Sequence, residues 1–390
     1  MFFFKKPFFM KYYKTKELFI LILLSLTLFF SSINSLPVLD RDEARYAQSS
    51  KQMIEKNNYL SIKFQDEYRS KKPIGIYWLQ ATSVRLLATI KQKTTTQYEV
   101  TKDSIWKYRI ISSIAALLSI ILLYKLGSRV FGNIESFYGA IIMSCSLLFI
   151  AEAHIAKTDS VLIMLTIIVM LSLANFYIKR DIESNIFNLL CLWVGLGISF
   201  LVKGPILLII FAITVLILYL FSKDKKWFYK TKPIIGILII ALISLPWFLS
   251  ISVEEQKNFL NESIINDFFG KIIEVKENHG AFPGFHFLGL WIFFFPFSLF
   301  LLPIIYYFKK HYKEKKIFFL IAWILPNFLI MELIPTKLPH YVLPLYPAIS
   351  LALGTILKHY KINKYLFTLK FTYFGYFIYF LISNFIIFSL

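Results

Sequence analysis

Five charged side chains fall within six positions at Asp40-Arg41-Asp42-Glu43-Ala44-Arg45, directly after the first apolar run of the chain. Two kinds of work fit them. Asp40 suits the cap of a helix whose Glu43 reaches back to it, with Asp42 in the first turn, where a carboxylate favours the helix dipole. A carboxylate at a membrane edge, beside lipid headgroups, also suits orienting or deprotonating an acceptor for a lipid-borne substrate, with Glu43 and Arg45 beside it as binding groups. Spacing alone leaves both open. Further residues of this kind are scattered along the chain: Lys71-Lys72-Pro73, Lys157 and Asp159, Lys203-Gly204-Pro205, His279, and Lys337 with His340 and Tyr341 in a stretch of four prolines. Asp159 suits a helix cap or a second acid. Lysines at 157, 203 and 337 either meet an anionic ligand or snorkel to lipid phosphate. His279 is a candidate ligand or acid–base group.

The elements that must position these residues follow from composition. With 57% hydrophobic residues, 17% charged and a mean hydropathy of +0.62, a chain of 390 residues has too little polar surface to be soluble. The fold class is all-α, a polytopic transmembrane bundle. Spans are predicted at about 17–36, 105–124, 136–156, 160–178, 186–202, 205–222, 233–251, 287–308, 317–334, 342–357 and 366–390, each near the ~20 residues a bilayer core needs or a little short. The first resembles a signal peptide but, with so many spans after it, reads as an uncleaved anchor. The net charge of +20 does not point to nucleic acid, because the lysines cluster in alternate short loops, as cytoplasmic retention requires. That bias places the first and second long loops, 37–104 and 252–286, outside, together with Asp42, Asp159 and the isolated lysines. The first long loop is expected to hold a helix running from Asp40 to about Lys56. A second, starting at Pro73 and running to about Ile90, lies flat, with Tyr77 and Trp78 at headgroup level. In the second long loop, apolar pairs every four residues from Leu260 to Ile273 predict an amphipathic interfacial helix, followed by a Gly- and Pro-rich lid. Pro335 to Pro347 reads as a re-entrant or unwound segment lined by Lys337, His340 and Tyr341. Cys145 and Cys191 lie inside apolar runs and offer no disulfide framework or metal site.

In this order and context the motifs resemble those of the GT-C glycosyltransferases that use polyprenyl-phosphate sugars. The likeness is greatest to the bacterial aminoarabinose (lipid A) transferases and extends to protein O-mannosyltransferases. It is carried by Asp42-Glu43-Ala44-Arg45-Tyr46-Ala47, Lys72-Pro73 with Tyr77-Trp78, Asp159, Lys203-Gly204-Pro205, and Lys337-Leu338-Pro339 with Tyr341 and Leu343-Pro344. The resemblance implies one transmembrane glycosyltransferase domain over 1–390, with Asp42 as principal catalytic carboxylate and Asp159 as a second active-site acid. It also implies that Lys72, Lys203 and Lys337 contact the lipid phosphate, with inversion at the sugar. The implied partners are a polyprenyl-phosphate sugar donor, an envelope lipid, glycan or protein acceptor, and membrane lipids; the implied place is the outer face of the cytoplasmic membrane. No cofactor is indicated, and a divalent cation stays compatible with the chain: the family pattern commonly has Glu before Lys-Pro where this chain has Lys71, so a metal site shared between that Glu and a loop histidine would lack the Glu. Relatives usually continue into further spans and an outer soluble domain, which the sequence does not show. A lipid or glycan transporter is a competing expectation, but charges gather at span ends rather than at the midplane where transport sites tend to lie. A membrane glycan ligase or polymerase is the competing enzyme.

Overall fold

A computed structural model of the chain describes residues 14–38, 40–90, 104–179, 186–270 and 280–359. Helix α1 (Thr15–Phe30) begins the bundle, and α2 (Arg41–Glu55) and α3 (Gly75–Ile90) occupy the first long loop. Then come α4 (Trp106–Val130), α5 (Asn133–Ser144), α6 (Leu147–Ala153), α7 (Asp159–Ile178), α8 (Ile186–Lys203) and α9 (Ile206–Phe221). A short α10 (Lys226–Lys230) precedes α11 (Pro233–Ser250) and α12 (Val253–Phe259). The last described helices are α13 (Phe285–Phe293), α14 (Leu301–His311), α15 (Lys315–Leu333) and α16 (Tyr346–His359). Helix thus coincides with every expected span from the first to the tenth, while 366–390 lies outside the described residues. Among the described residues, five of these helices and the segment Pro339–Lys358 are long and apolar enough to cross a bilayer, making six, or seven when the bent pair α5–α6 is one span. The chain is a multi-pass membrane protein. Its apolar side chains face outward where helices meet lipid, as with Ile234, Leu242 and Leu249 on α11.

Polar contacts sort the helix ends onto two faces. On one, Glu17 accepts from Tyr124 and Asn133, Lys316 reaches Phe131 O at 3.1 Å, and Lys358 meets Glu135 at 2.6 Å. The ends of α1, α4, α5, α15 and α16 brought together there are those that the lysine alternation puts on one side. On the opposite face stand Asp40, Asp42, Lys157, Asp159, Lys203 and His340.

Two elements differ from the expectation in shape. The third span breaks into α5 and α6 with a 67° bend although no Gly or Pro marks it. Serines support the break instead: Ser144 Oγ donates to Ile141 O at 2.8 Å and Ser146 Oγ to Met143 O at 3.0 Å, beside the backbone bonds those carbonyls accept from Cys145 N and Ser146 N. The interfacial helix of the second long loop starts with a capping box at Ser252 and Glu255, and its continuation, Leu260–Phe269, is π-helical rather than α. Residues 271–279 lie outside the described residues, His279 among them.

Helix α3 does not lie on headgroups by Tyr77 and Trp78. It packs against α2, α4 and α8, with Tyr77 fully buried, because Gly75 lets its backbone approach α8: a Cβ there would sit 2.7 Å from Leu201 O. Trp78 Nε1 donates to Tyr59 O at 2.6 Å. Residues 40–90 of the first long loop form a wedge seated among the helices, stiffened by a small antiparallel hairpin (Lys63–Phe64 with Glu67–Tyr68) that Gln52 pins through Gln65 N and O, both at 2.8 Å.

Candidate active site

Asp40 caps α2 as expected, its Oδ1 accepting from Asp42 N at 2.7 Å and Glu43 N at 3.1 Å. Glu43, however, does not reach back to close a capping box. Its carboxylate is buried and accepts from Arg109 Nε and Nη2 at 2.7 and 2.9 Å and from Ala156 N at 2.8 Å. Arg109 spends its remaining donors on the carbonyls of Ile33, Leu36 and Pro37. One ion pair therefore ties together the end of the first span, α2, α4 and the loop before α7. Glu43 is a structural clamp and is not among the residues lining the cavity that Asp42 faces, where a substrate-binding place was expected for it.

Asp42, one residue earlier, turns the other way. Its carboxylate is half exposed and lies 3.6 Å from Arg45 and 3.9 Å from Arg69, and it accepts no hydrogen bond among the described residues. Arg69 emerges from the hairpin, donates to Tyr77 Oη at 3.1 Å and lies over the Tyr46 ring at 5.3 Å. Tyr77 thus holds Arg69 and is not among the residues lining that cavity. Burial raises the Tyr46 and Tyr77 hydroxyls and keeps them neutral.

Asp42 lines a cavity of about 410 Å³. Its polar lining includes Tyr46, Lys72, Lys157, Asp159, Lys203, His340 and Tyr341; its apolar lining includes Ile206, Ile209, Ile210 and Ile213 from α9 and its N-terminal turn, and Ile330, Met331 and Ile334 of the α15 end. Lys203 donates to Asp159 Oδ1 at 2.5 Å, and both side chains are buried. Asp159 therefore holds a cation at the start of α7 instead of capping the helix, and Lys203 does not snorkel. The turn after it needs glycine because Gly204 adopts φ +71°. Lys157 reaches Asp40 Oδ2 at 3.1 Å and Glu152 at 3.4 Å. Half-burial alone would raise the Asp40 carboxyl; Lys157 and the two backbone donors outweigh it and hold it below the usual range. Burial would lower the Lys157 ammonium, but Glu152, Asp159 and Asp40 together hold it above the usual lysine range.

The proline-rich segment is a 3₁₀ helix, Pro339–Leu345, leading into α16, and it presents His340 and Tyr341 to the cavity. Lys337 is not there. Its buried ammonium donates to Ile334 O at 2.8 Å and Ala281 O at 3.4 Å, next to a β-bridge between Gly280 and Thr336, so it fastens the end of the second long loop. Lys71 and Arg45 are not among the cavity-lining residues. Among the described residues no three His, Cys, Asp or Glu side chains gather as a metal site would need. Arg69, Arg109 and Glu152 are the residues that sequence reasoning passed over. Arg109 and Glu152 had a usable signal, since each is a charge inside an apolar span.

A family model for dolichyl-phosphate-mannose-protein mannosyltransferase matches residues 71–249. The crystal structure of ArnT from Cupriavidus metallidurans bound to undecaprenyl phosphate superposes with a TM-score of 0.79 at 17% identity, over 91% of this chain and 62% of that one. The chain has the GT-C fold. Archaeal oligosaccharyltransferase AglB from Archaeoglobus fulgidus shares this GT-C fold at a TM-score of 0.56 and 13% identity, over 94% of this chain and 54% of that one. In sequence the chain is 26% identical to the undecaprenyl phosphate-alpha-4-amino-4-deoxy-L-arabinose arabinosyl transferase of Yersinia pestis (strain Pestoides F), over 84% of this chain and 58% of that protein. It is 25% identical to an uncharacterized protein of Aquifex aeolicus, over 89% and 65%. The chain thus spans about three fifths of the length of these relatives.

Proposed function

We propose that the chain is a membrane glycosyltransferase that moves a sugar from a polyprenyl-phosphate donor to a lipid, glycan or protein acceptor. The observation that carries this is a cavity lined by both charged side chains and isoleucines, which matches a donor with a charged head and an apolar tail. The ArnT structure holds undecaprenyl phosphate, and the Yersinia relative is named for a sugar on that carrier; we extend the donor class to this chain. In this reading the lipid phosphate sits by Lys72 and Lys203, whose charge offsets the charge that grows on the leaving phosphate. No separate acid is needed. Asp42, with its open lone pairs, orients the acceptor and takes its proton where the acceptor is a hydroxyl; with an ionised phosphate acceptor it positions only. Asp159 acts by holding Lys203. Attack opposite the leaving phosphate gives inversion, and a pentose such as aminoarabinose is the first sugar to test.

Transfer is tested with the purified full chain and an undecaprenyl-phosphate-linked sugar, and lipid analysis of a deletion strain names the acceptor by the glycan that lacks its sugar. Release of undecaprenyl phosphate with a glycosylated product is expected; a deletion strain with an unchanged envelope and no accumulated carrier contradicts the proposal. We place the site on the outer face of the cytoplasmic membrane, supported by the lysine-rich loops of the opposite face. In a background without Cys145 and Cys191, a cysteine at the exposed Glu67 should react with an impermeant thiol reagent added outside, and one at the exposed Lys223 should not. The reverse pattern would move the site to the cytoplasm.

A further inference from the structure

Lys157 is held differently from Lys203. Its loop is fixed from several sides: Ala156 N donates to Glu43, Ala156 O accepts from Gln80 Nε2 at 3.1 Å, and Lys157 O accepts from Ser112 Oγ at 3.4 Å. Its ammonium, by contrast, is shared between two carboxylates on different elements, Asp40 Oδ2 at 3.1 Å and Glu152 Oε1 at 3.4 Å, and lines the cavity near Asp159 and Lys203. An ammonium has three N–H donors, so at least one has no partner among the described residues.

The two carboxylates are not equivalent. Glu152 is buried on α6 and has one oxygen without any hydrogen-bond partner. Asp40 is a third exposed at the start of α2 and divides its oxygens: Oδ1 caps the helix, while Oδ2 faces Lys157. Oδ2 can release Lys157 without disturbing the cap.

We propose that Lys157 is a further ligand of the donor's phosphate and that Asp40 is its resting counter-ion, displaced when the phosphate arrives. This rests on the reading of the chain as polyprenyl-phosphate-dependent. A phosphate offers more acceptor oxygens than one carboxylate oxygen, and its charge-assisted hydrogen bonds are short and strong. Glu152 keeps the ammonium aimed while Asp40 gives way. The attraction grows as the sugar departs, because the leaving polyprenyl phosphate is a monoester with a second ionisation near pH 6, whereas the donor is a singly charged diester. Lys157 thereby favours the product side of the transfer.

The test is equilibrium binding of undecaprenyl phosphate and of uncharged undecaprenol to the purified full chain and two variants, with size-exclusion profiles to confirm folding. Lys157→Gln should weaken binding of the phosphate by roughly ten- to a hundredfold and leave the alcohol unchanged. Asp40→Asn keeps the helix cap, since Asn caps about as well as Asp, and should tighten binding of the phosphate alone. Opposite directions for the two variants are the signature, because a passive salt bridge would respond alike to the loss of either partner. Wild-type affinity in Lys157→Gln overturns the inference, and so does an Asp40→Asn variant that binds the phosphate no more tightly. Should Lys157→Gln not fold, Asp40→Asn decides. A wild-type chain that binds phosphate and alcohol equally well overturns the proposed function, and this inference with it.

Discussion

Glu43 and Asp42 are neighbours in sequence, share the first turn of α2, and have opposite surroundings. Glu43 meets a bidentate guanidinium and a backbone N–H, all buried, while Asp42 has two guanidiniums at a distance and an open face toward the cavity. A helix turns about 100° per residue, so one step carries a side chain from the interior to the cavity. The difference teaches that a dense charge run beside a span is not one feature. Asp40 serves the cap and Lys157, Asp42 faces substrate space, and Glu43 locks the wedge in place.

This division is open to attack, and the largest effect should come from the clamp. Glu43→Gln leaves Arg109 as an uncompensated buried cation, and breaking a buried pair in this way costs about 3–5 kcal/mol. The variant should show a clear loss of folded, monodisperse protein and of thermal stability; wild-type stability would mean that the pair holds nothing. Next comes the Asp159–Lys203 pair at the cavity. Lys203→Gln keeps a donor for Asp159 and removes the charge, so donor kcat/KM should fall roughly ten- to a hundredfold. Unchanged donor kinetics would leave the pair as packing only. At Gly75, an added Cβ meets backbone, which cannot swing aside as a side chain tip does. Gly75→Ala should therefore cost about 1–3 kcal/mol of stability, read by thermal unfolding, and an unshifted curve would show that α3 can move off α8. The smallest effect is on the cap. Asp40→Asn should change stability by less than ~0.5 kcal/mol in the same assay, and a larger loss would mean that the Lys157 contact is structural.

Hydropathy made the spans legible because a bilayer demands length and apolarity of each one separately. The motif order put Asp42, Lys72, Asp159, Lys203, His340 and Tyr341 on one membrane face, and these six line one cavity. Less legible were the features that depend on a partner far along the chain. Nothing local says that Glu43 pairs with Arg109, so it read as half of a capping box; nothing at Lys337 says that its ammonium ends on two carbonyls. The bend after Ser144 was hidden because serine hydroxyls, not proline or glycine, support it. Tyr77 and Trp78 suited an interface by type, but the close approach at Gly75 drew their helix inward. Arg69 was lost among the charges of a loop, and only the hairpin folds it back under Asp42.

The most direct test of the account is sugar transfer by Asp42→Asn set beside its fold. The substitution is nearly isosteric, and the loss of helix-dipole stabilisation is only ~0.3–1 kcal/mol, too little to unfold the bundle. With donor binding and thermal stability retained, transfer from an undecaprenyl-phosphate-linked sugar should fall by roughly 10²–10⁴-fold, as when a general base is removed. Near-normal turnover in a folded Asp42→Asn protein would contradict the account, because the open carboxylate would then have no part in the chemistry.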